Sequence, residues 1–357
     1  MATTLPKWGE VPTYATLLGM TTNTAAHSSL RFGLLGAARI APDALIDPAT
    51  RLDVDVVAVA ARDPERAKVF AEAHGIGSVS DSYAALLERD DLDAVYVPLP
   101  AALRFEWTTH ALERGLHVLA EKPIAMDAAQ ARAMVDQAEA RGLVLAEGFH
   151  YVFHPMFARA LELLDDGVVG EIEHLDVQFD GAVPSGPEAA IYLDRTLGGG
   201  VLLHQACYAL HAIRSLARTE PDVVRATATI GDTGVDEAVD VELVLPSGAT
   251  ARARSSMEDG KQLLMQATVR GSRAVMTLDN FIGPHYGSVD PTLGGRISVK
   301  SDSDTRLDES FAGETTYWYQ LRAFSDAVAG GPALPVQGEG AVANMTLIDA
   351  VRAAAAI

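Results

Sequence analysis

From Leu30 onward, short apolar and β-branched runs recur between turn residues: RFGLLG (31–36), VDVVAVAA (54–61), AVYVPLP (94–100), LHVLAE (116–121) and LVLAEGF (143–149). Runs that are apolar on both faces suit strands buried on both sides, as in a parallel sheet. The segments between them carry apolar residues at helical spacing. PERAKVFAEAHG and RFEWTTHALERG each end in a glycine stop and SYAALLERD is a short helix. DAAQARAMVDQAEARG begins at Asp127, whose side chain can accept from the free N–H groups of a first turn. Strand alternating with helix predicts α/β architecture, a doubly wound Rossmann-type parallel sheet over 31–150.

After His154 the rhythm changes. One helix, PMFARALELLDDG, leads into longer alternating runs: EIEHLDVQFDG, DVVRATATIG, EAVDVELVLPSG, ATARARSSME, LLMQATVRG and RAVMTLDN. Period-two alternation with short Gly or Ser turns predicts a large, mostly antiparallel sheet. GGGVLLHQACYALHAIRSL, TTYWYQLRAFSDAVAG and GEGAVANMTLIDAVRAAAA read as helices, which makes 151–357 an α+β domain. Residues 1–30, rich in Thr, Ala, Ser and Pro, read as an arm, either floppy or laid on a neighbouring subunit.

Composition narrows the partners. At 357 residues and 48% hydrophobic, the chain can bury two cores. Lys plus Arg number 28 against 48 Asp plus Glu, and 28 − 48 = −20, a field that repels phosphate backbones and anionic headgroups. Neither nucleic acid nor a membrane is an expected partner, and no run approaches the roughly 18 apolar residues of a membrane span. A single cysteine, Cys207, excludes an intrachain disulfide framework. With no recognisable secretion signal either, a cytoplasmic location is expected.

The first strand-to-helix turn reads Gly33-Leu-Leu-Gly36-Ala-Ala38-Arg-Ile-Ala41. A dinucleotide fingerprint has glycine, glycine and glycine or alanine where this chain has Gly36, Ala38 and Ala41; Ala38 puts a methyl group where backbone should approach pyrophosphate. The second strand ends Ala60-Ala61-Arg62-Asp63, with arginine where an acidic residue would accept from a ribose hydroxyl. A guanidinium fork suits a 2′-phosphate, so NADP is favoured over NAD, which stays compatible; the alternative is a solvated charge before a helix.

Leu119-Ala-Glu121-Lys122-Pro123 follows on the fourth predicted strand. Together with GLLGAARIA, ALLERDDLDAVYVPLP, EGFHYVFHP, VGEI and GGGVLLHQACY, it makes the chain resemble the Gfo/Idh/MocA family of dinucleotide-dependent sugar and polyol oxidoreductases from residue 31 to the end. Within the family it is similar to the aldose or dihydrodiol dehydrogenases and to the nucleotide-deoxysugar 3-ketoreductases. The resemblance implies a Rossmann domain joined to an α+β domain for substrate binding and oligomerisation, as a dimer or tetramer. It places cofactor contacts on Gly36, Ala37, Ala38, Arg39, Ile40, Arg62, Pro98, Leu99, Glu121 and Lys122. Lys122 is carried over as the catalytic lysine and Tyr208 as the proton donor, for hydride transfer at a secondary alcohol or ketone of a sugar or nucleotide sugar.

The chain departs from the family at several points. The usual aspartate after the triple glycine is His204, and the third-strand loop carries Ala101 and Arg104, a phosphate ligand or a solvated charge. Val152 stands where relatives have arginine. On a regular helix His204, Tyr208 and His211 share a face. The expectation is that His204 replaces the aspartate as hydrogen-bond partner of Tyr208 or of a sugar hydroxyl; the bland alternative is a polar filler. A zinc site from His204, Cys207 and His211, with His150 and His154, is the weaker reading, and no metal is expected. Phe149, Tyr151, Phe153, Tyr192 and Tyr317 to Tyr319 read first as packing. Two other functions fit the same residues: a cofactor-retaining elimination, glycoside cleavage or cyclisation, and a non-catalytic dinucleotide-binding protein.

Overall fold

The computed structural model describes residues 29–186, 189–285, 294–301 and 304–357; up to residue 28, the arm expected over 1–30 lies outside them. The described residues form two units. The first holds those up to Phe149 together with Tyr317–Val342, and the second holds His150–Thr316 and Ala343–Ile357. Tyr317–Val342, expected with the second domain, thus groups with the first.

In the first unit, β1 (Leu30–Leu35), β2 (Val54–Ala60), β3 (Ser78–Val79), β4 (Ala94–Val97), β5 (His117–Ala120) and β6 (Leu145–Glu147) lie in the order β3-β2-β1-β4-β5-β6. All pairings are parallel. Leu34, Val59, Val95, Val118 and Leu119 are completely buried, which is why these strands read as unbroken apolar runs. A π-helical turn, Pro42–Ile46, runs into α1 (Asp47–Ala49), followed by α2 (Pro64–His74), α3 (Tyr83–Leu87), α4 (Ala101–Glu113) and α5 (Ala128–Arg141). Asp127 caps α5 by accepting from Gln130 N at 2.8 Å, as its sequence position predicts. The late segment completes this unit. Phe324 packs on Phe32 with ring centroids 5.6 Å apart, Glu147 N donates to Val336 O at 2.9 Å, and Gln337 forms a β-bridge with Ala146.

The second unit opens with α6 (Pro155–Asp165) and holds an eight-stranded sheet. Its strands are β7 (Ile172–Asp180), β8 (Asp222–Ile230), β9 (Asp236–Val244), β10 (Thr250–Ser256), β11 (Leu264–Gly271), β12 (Val275–Asp279), β13 (Gly295–Ser301) and β14 (Asp304–Phe311). They lie in the order β14-β13-β12-β11-β7-β10-β9-β8, with β7 and β10 parallel and the other pairs antiparallel. Alternation explains the layering. Leu175, Val177, Val241, Leu243, Ala253 and Val269 are buried, while cross-strand ion pairs such as Arg254–Asp176 at 2.7 Å and Arg252–Asp240 occupy intervening positions. β13 and β14 are absent from the sequence reading. In β13, Ile297 and Val299 are fully buried between exposed Arg296 and Lys300, but the short run follows a Gly- and Pro-containing stretch that reads as loop. After α7 (Ala190–Leu193) and the triple glycine comes a π-helical turn, Leu202–Ala206, continuing as α8 (Cys207–Ala217), which packs on β7 and β10. α9 (Thr316–Val328) and α10 (Glu339–Ala355) each pass from one unit into the other.

Candidate active site

All strands of the first sheet run the same way, so the ends of β1, β2, β4 and β5 share one edge, and the order reverses between β1 and β4. Such a switch point is where open α/β sheets bind ligands. Gly36 follows β1 with φ +116°, a conformation nearly closed to L side chains, and a Cβ there would lie 3.1 Å from Leu99 Cδ2. The turn is held by Gly36 N on Ala60 O at 2.7 Å and by Arg66 Nη2 on Ala37 O at 2.8 Å. Arg66 is a part of this loop that the sequence reading missed; no spacing rule connects it to Ala37. Arg39 and Arg62 are exposed, Ala38, Ile40 and Pro98 half-buried. The acid beside Arg62 is otherwise engaged, since Asp63 caps α2 by accepting from Glu65 N at 3.0 Å. A side-chain-free turn at Gly36 with an exposed guanidinium at the next strand end fits a dinucleotide bearing a 2′-phosphate.

Lys122 stands just beyond β5, half-buried, on a turn fixed from several sides. Glu121 Oε1 accepts from the Tyr96 hydroxyl at 2.8 Å, and its Oε2 accepts from Lys122 N at 3.3 Å. Arg104 Nη1 donates to Pro123 O, and Ile124 N donates to Glu147 Oε1 at 2.8 Å. Burial, and then the neighbouring Glu121 carboxylate, keep the Tyr96 phenol well above its ordinary pKa, so it stays a donor. The Glu121 side chain, read as a cofactor contact, is buried and holds the turn. Arg104, read as a phosphate ligand or solvated charge, is buried against the Pro123 carbonyl.

In the second unit Tyr208 lies on α8, nearly buried, with its hydroxyl 3.1 Å from His150 Nε2. His150 Nδ1 is 2.7 Å from Thr316 Oγ1. His204, expected to pair with Tyr208 or a sugar hydroxyl, has its Nε2 2.9 Å from Ile191 O and its ring on Tyr192 with centroids 4.3 Å apart. The carbonyl and the ring of that preceding segment are what hold the imidazole. His211 is paired instead with the Tyr151 hydroxyl at 2.7 Å. Cys207 donates to Leu203 O, and among the described residues no group of three or more His, Cys, Asp or Glu is placed to hold a metal. Val152, Phe149, Phe153 and Tyr317 to Tyr319 are buried in packing.

The triple glycine sets the start of the helix that carries Tyr208. Asp236 Oδ2 accepts from Leu202 N at 2.6 Å, so its carboxylate caps the first turn. Gly200 has φ +114°, and a Cβ there would fall 2.1 Å from Asp236 Oδ1. Gly200→Ala combines backbone strain with loss of that cap and is expected to remove about 3 kcal/mol of stability, read from urea unfolding. A change under about 0.5 kcal/mol would mean the turn relaxes freely.

His154 gives this unit an acid dependence. It is buried, its Nδ1 accepts from Met156 N at 3.2 Å, and burial followed by the nearby His285 pushes its pKa down to about 3. An unfolded histidine takes its proton near 6.5, so below that pH the unfolded chain binds more protons than the folded one. Stability is then full above 6.5 and falls as pH drops towards 3, by about 1.4 kcal/mol per pH unit from this group. His154→Asn keeps a capping side chain, and urea titrations from pH 7.5 to 5 should show a shallower loss; an unchanged slope would refute the assignment.

Comparison with known proteins agrees with this arrangement. Residues 30–149 match the Gfo/Idh/MocA profile described as an oxidoreductase family with an NAD-binding Rossmann fold, and residues 157–277 match the Gfo/Idh/MocA C-terminal domain. A D-xylose 1-dehydrogenase (NADP(+)) of Haloferax volcanii is 35% identical over 90% of this chain and 96% of its own. A dTDP-3,4-didehydro-2,6-dideoxy-α-D-glucose 3-reductase of Actinomadura kijaniata is 33% identical over 93% and 98%. The crystal structure of KijD10, a 3-ketoreductase from Actinomadura kijaniata in complex with NADP and TDP-benzene, superposes with TM-score 0.83 at 32% identity, covering 91% of this chain and 98% of that one. With both domains matched in order and such relatives spanning nearly its whole described length, the chain belongs to the Gfo/Idh/MocA family of NAD-binding Rossmann-fold oxidoreductases.

Proposed function

We propose that the protein is an NADP-dependent oxidoreductase of a sugar, interconverting a secondary alcohol and its ketone. The observation that carries this reading is the sheet edge, where Lys122 on its pinned turn, Gly36 and the exposed Arg62 stand at the ends of parallel strands. The relatives named for xylose and for a dideoxy-ketoglucose support the substrate class, and the former's NADP supports the cofactor.

Gly36, Ala37, Ala38 and Ile40 would border the pyrophosphate, Arg62 and Arg39 its 2′-phosphate side, and Pro98 and Leu99 the neighbouring loop. Bound NADP supplies the hydride acceptor or donor. The Lys122 ammonium orients the substrate oxygen and stabilises negative charge on it, and Tyr208 exchanges the proton of the hydroxyl. A phenol hydroxyl can donate that proton, as reduction requires. Incubating the protein with NADP and a panel of aldoses and dTDP-sugars should give sugar-dependent growth of reduced-nicotinamide absorbance, stronger with NADP than with NAD. Tight NADP binding without any such change would defeat the proposal.

A further inference from the structure

His150, offered by the sequence only as a zinc candidate, has a different setting in the second unit. It is 3% exposed, 58 residues from Tyr208 along the chain, and both of its ring nitrogens have partners: Nε2 with the Tyr208 hydroxyl and Nδ1 with Thr316 Oγ1, itself fully buried. The His150 and Tyr208 rings meet edge to face with centroids 5.8 Å apart, and Phe179 and Tyr151 pack on the same phenol. A hydroxyl at 2.7 Å can accept from Nδ1–H, which leaves the Nε2 lone pair directed at Tyr208. Facing His150 are Tyr208 and, across Tyr151, His211 from α8, and Thr316 from α9. Burial, helped by Arg214, holds His211 well below its ordinary pKa, so it stays neutral.

We propose that His150 is a positioning residue for Tyr208 that also receives its proton, with Thr316 fixing hydrogen on Nδ1. This rests on the sugar-oxidoreductase reading above. In alcohol oxidation the substrate O–H bond breaks and its proton forms a new O–H bond on Tyr208, while the proton Tyr208 held moves to His150 Nε2. The carbinol C–H bond breaks at the same time, and its electron pair leaves as hydride to the oxidised nicotinamide. One alcohol thus yields one carbonyl, one reduced nicotinamide and one imidazolium; reduction runs the same transfers backwards. Burial disfavours the imidazolium, so His150 readily returns the proton. Tyr208 never has to carry a full negative charge among apolar rings.

Glutamine can accept the Tyr208 hydrogen bond but cannot take its proton, so His150→Gln separates holding from transfer. The expected result is a fall in kcat for sugar oxidation of about 100-fold or more with KM little changed, and a kcat pH profile that differs from the wild type's. Thr316→Val, which loosens the ring without removing the acceptor, should lower kcat by less, about tenfold, and alter that profile as well. Nitrogen-15 spectra of the apo protein should show hydrogen on Nδ1 of His150, and a mixture of tautomers in Thr316→Val. Unaltered kcat and pH profile in His150→Gln overturn the proposal, as does hydrogen on Nε2 in the apo wild type. If His150→Gln does not fold, an unaltered profile in Thr316→Val overturns it. Active wild type with indifferent His150 and Thr316 variants sinks this inference alone, whereas absence of sugar-linked NADP reduction in the wild type sinks the functional reading and leaves the apo spectrum to decide the tautomer.

Discussion

Replacing Lys122 with methionine should abolish turnover, lowering kcat by about 1,000-fold, while NADP still binds with little loss. The substitution keeps the length and apolar stem of the side chain and deletes its charge. Removal of a single preorganised donor from a developing oxyanion costs on the order of 10²–10³ in rate, and Lys122 is proposed to supply both donor and charge. The turn itself should survive. Its anchors are the Tyr96–Glu121 bond, the Arg104–Pro123 bond and the Ile124–Glu147 bond, none of which uses the lysine Nζ. Fluorescence titration with NADPH and steady-state assay of the same sample separate the two effects. Undiminished kcat would refute the role of Lys122, and a collapse of NADPH affinity with unchanged kcat at saturation would reassign it to cofactor binding.

Tyr208→Phe is the second large effect. It removes one oxygen from a nearly buried ring and leaves the aromatic contacts with His150, Tyr151 and Phe179 in place. Loss of a positioned proton donor lowers rates by about 10²–10⁴, so kcat is expected to fall in that range with KM nearly constant. The buried His150 nitrogen loses its phenol, which should cost about 1–3 kcal/mol of stability in urea unfolding. The stability change without the rate change would make Tyr208 a packing residue and remove the proton donor from the proposed mechanism.

Which parts of this molecule its sequence discloses depends on how locally each is determined. The strands of the parallel sheet are legible because burial on both faces leaves continuous apolar runs such as AVYV, and the α5 cap is legible because Asp127 acts on its own next turn. β13 and β14 are not, since their identity depends on pairing with β12 and with each other more than on an isolated pattern. The same distinction divides the site. Gly36, Arg62 and Lys122 occupy motif positions at strand ends. Arg66 reaches Ala37 across 29 residues and His150 reaches Tyr208 across 58, and neither distance leaves a spacing signal. The partners of His204 are hidden for a third reason: Ile191 and Tyr192 lie on another segment, which spacing along one helix does not reveal.

The return of Tyr317–Val342 to the first unit bears on how the chain is made. β6 is translated before the second sheet, yet Val336, which takes the Glu147 N–H, and Phe324, which covers Phe32, are translated after it. A nascent Rossmann sheet therefore waits on the ribosome with part of its covering still missing while the whole second sheet is added. During that interval its protection falls to chaperones or to the unit's own remaining contacts.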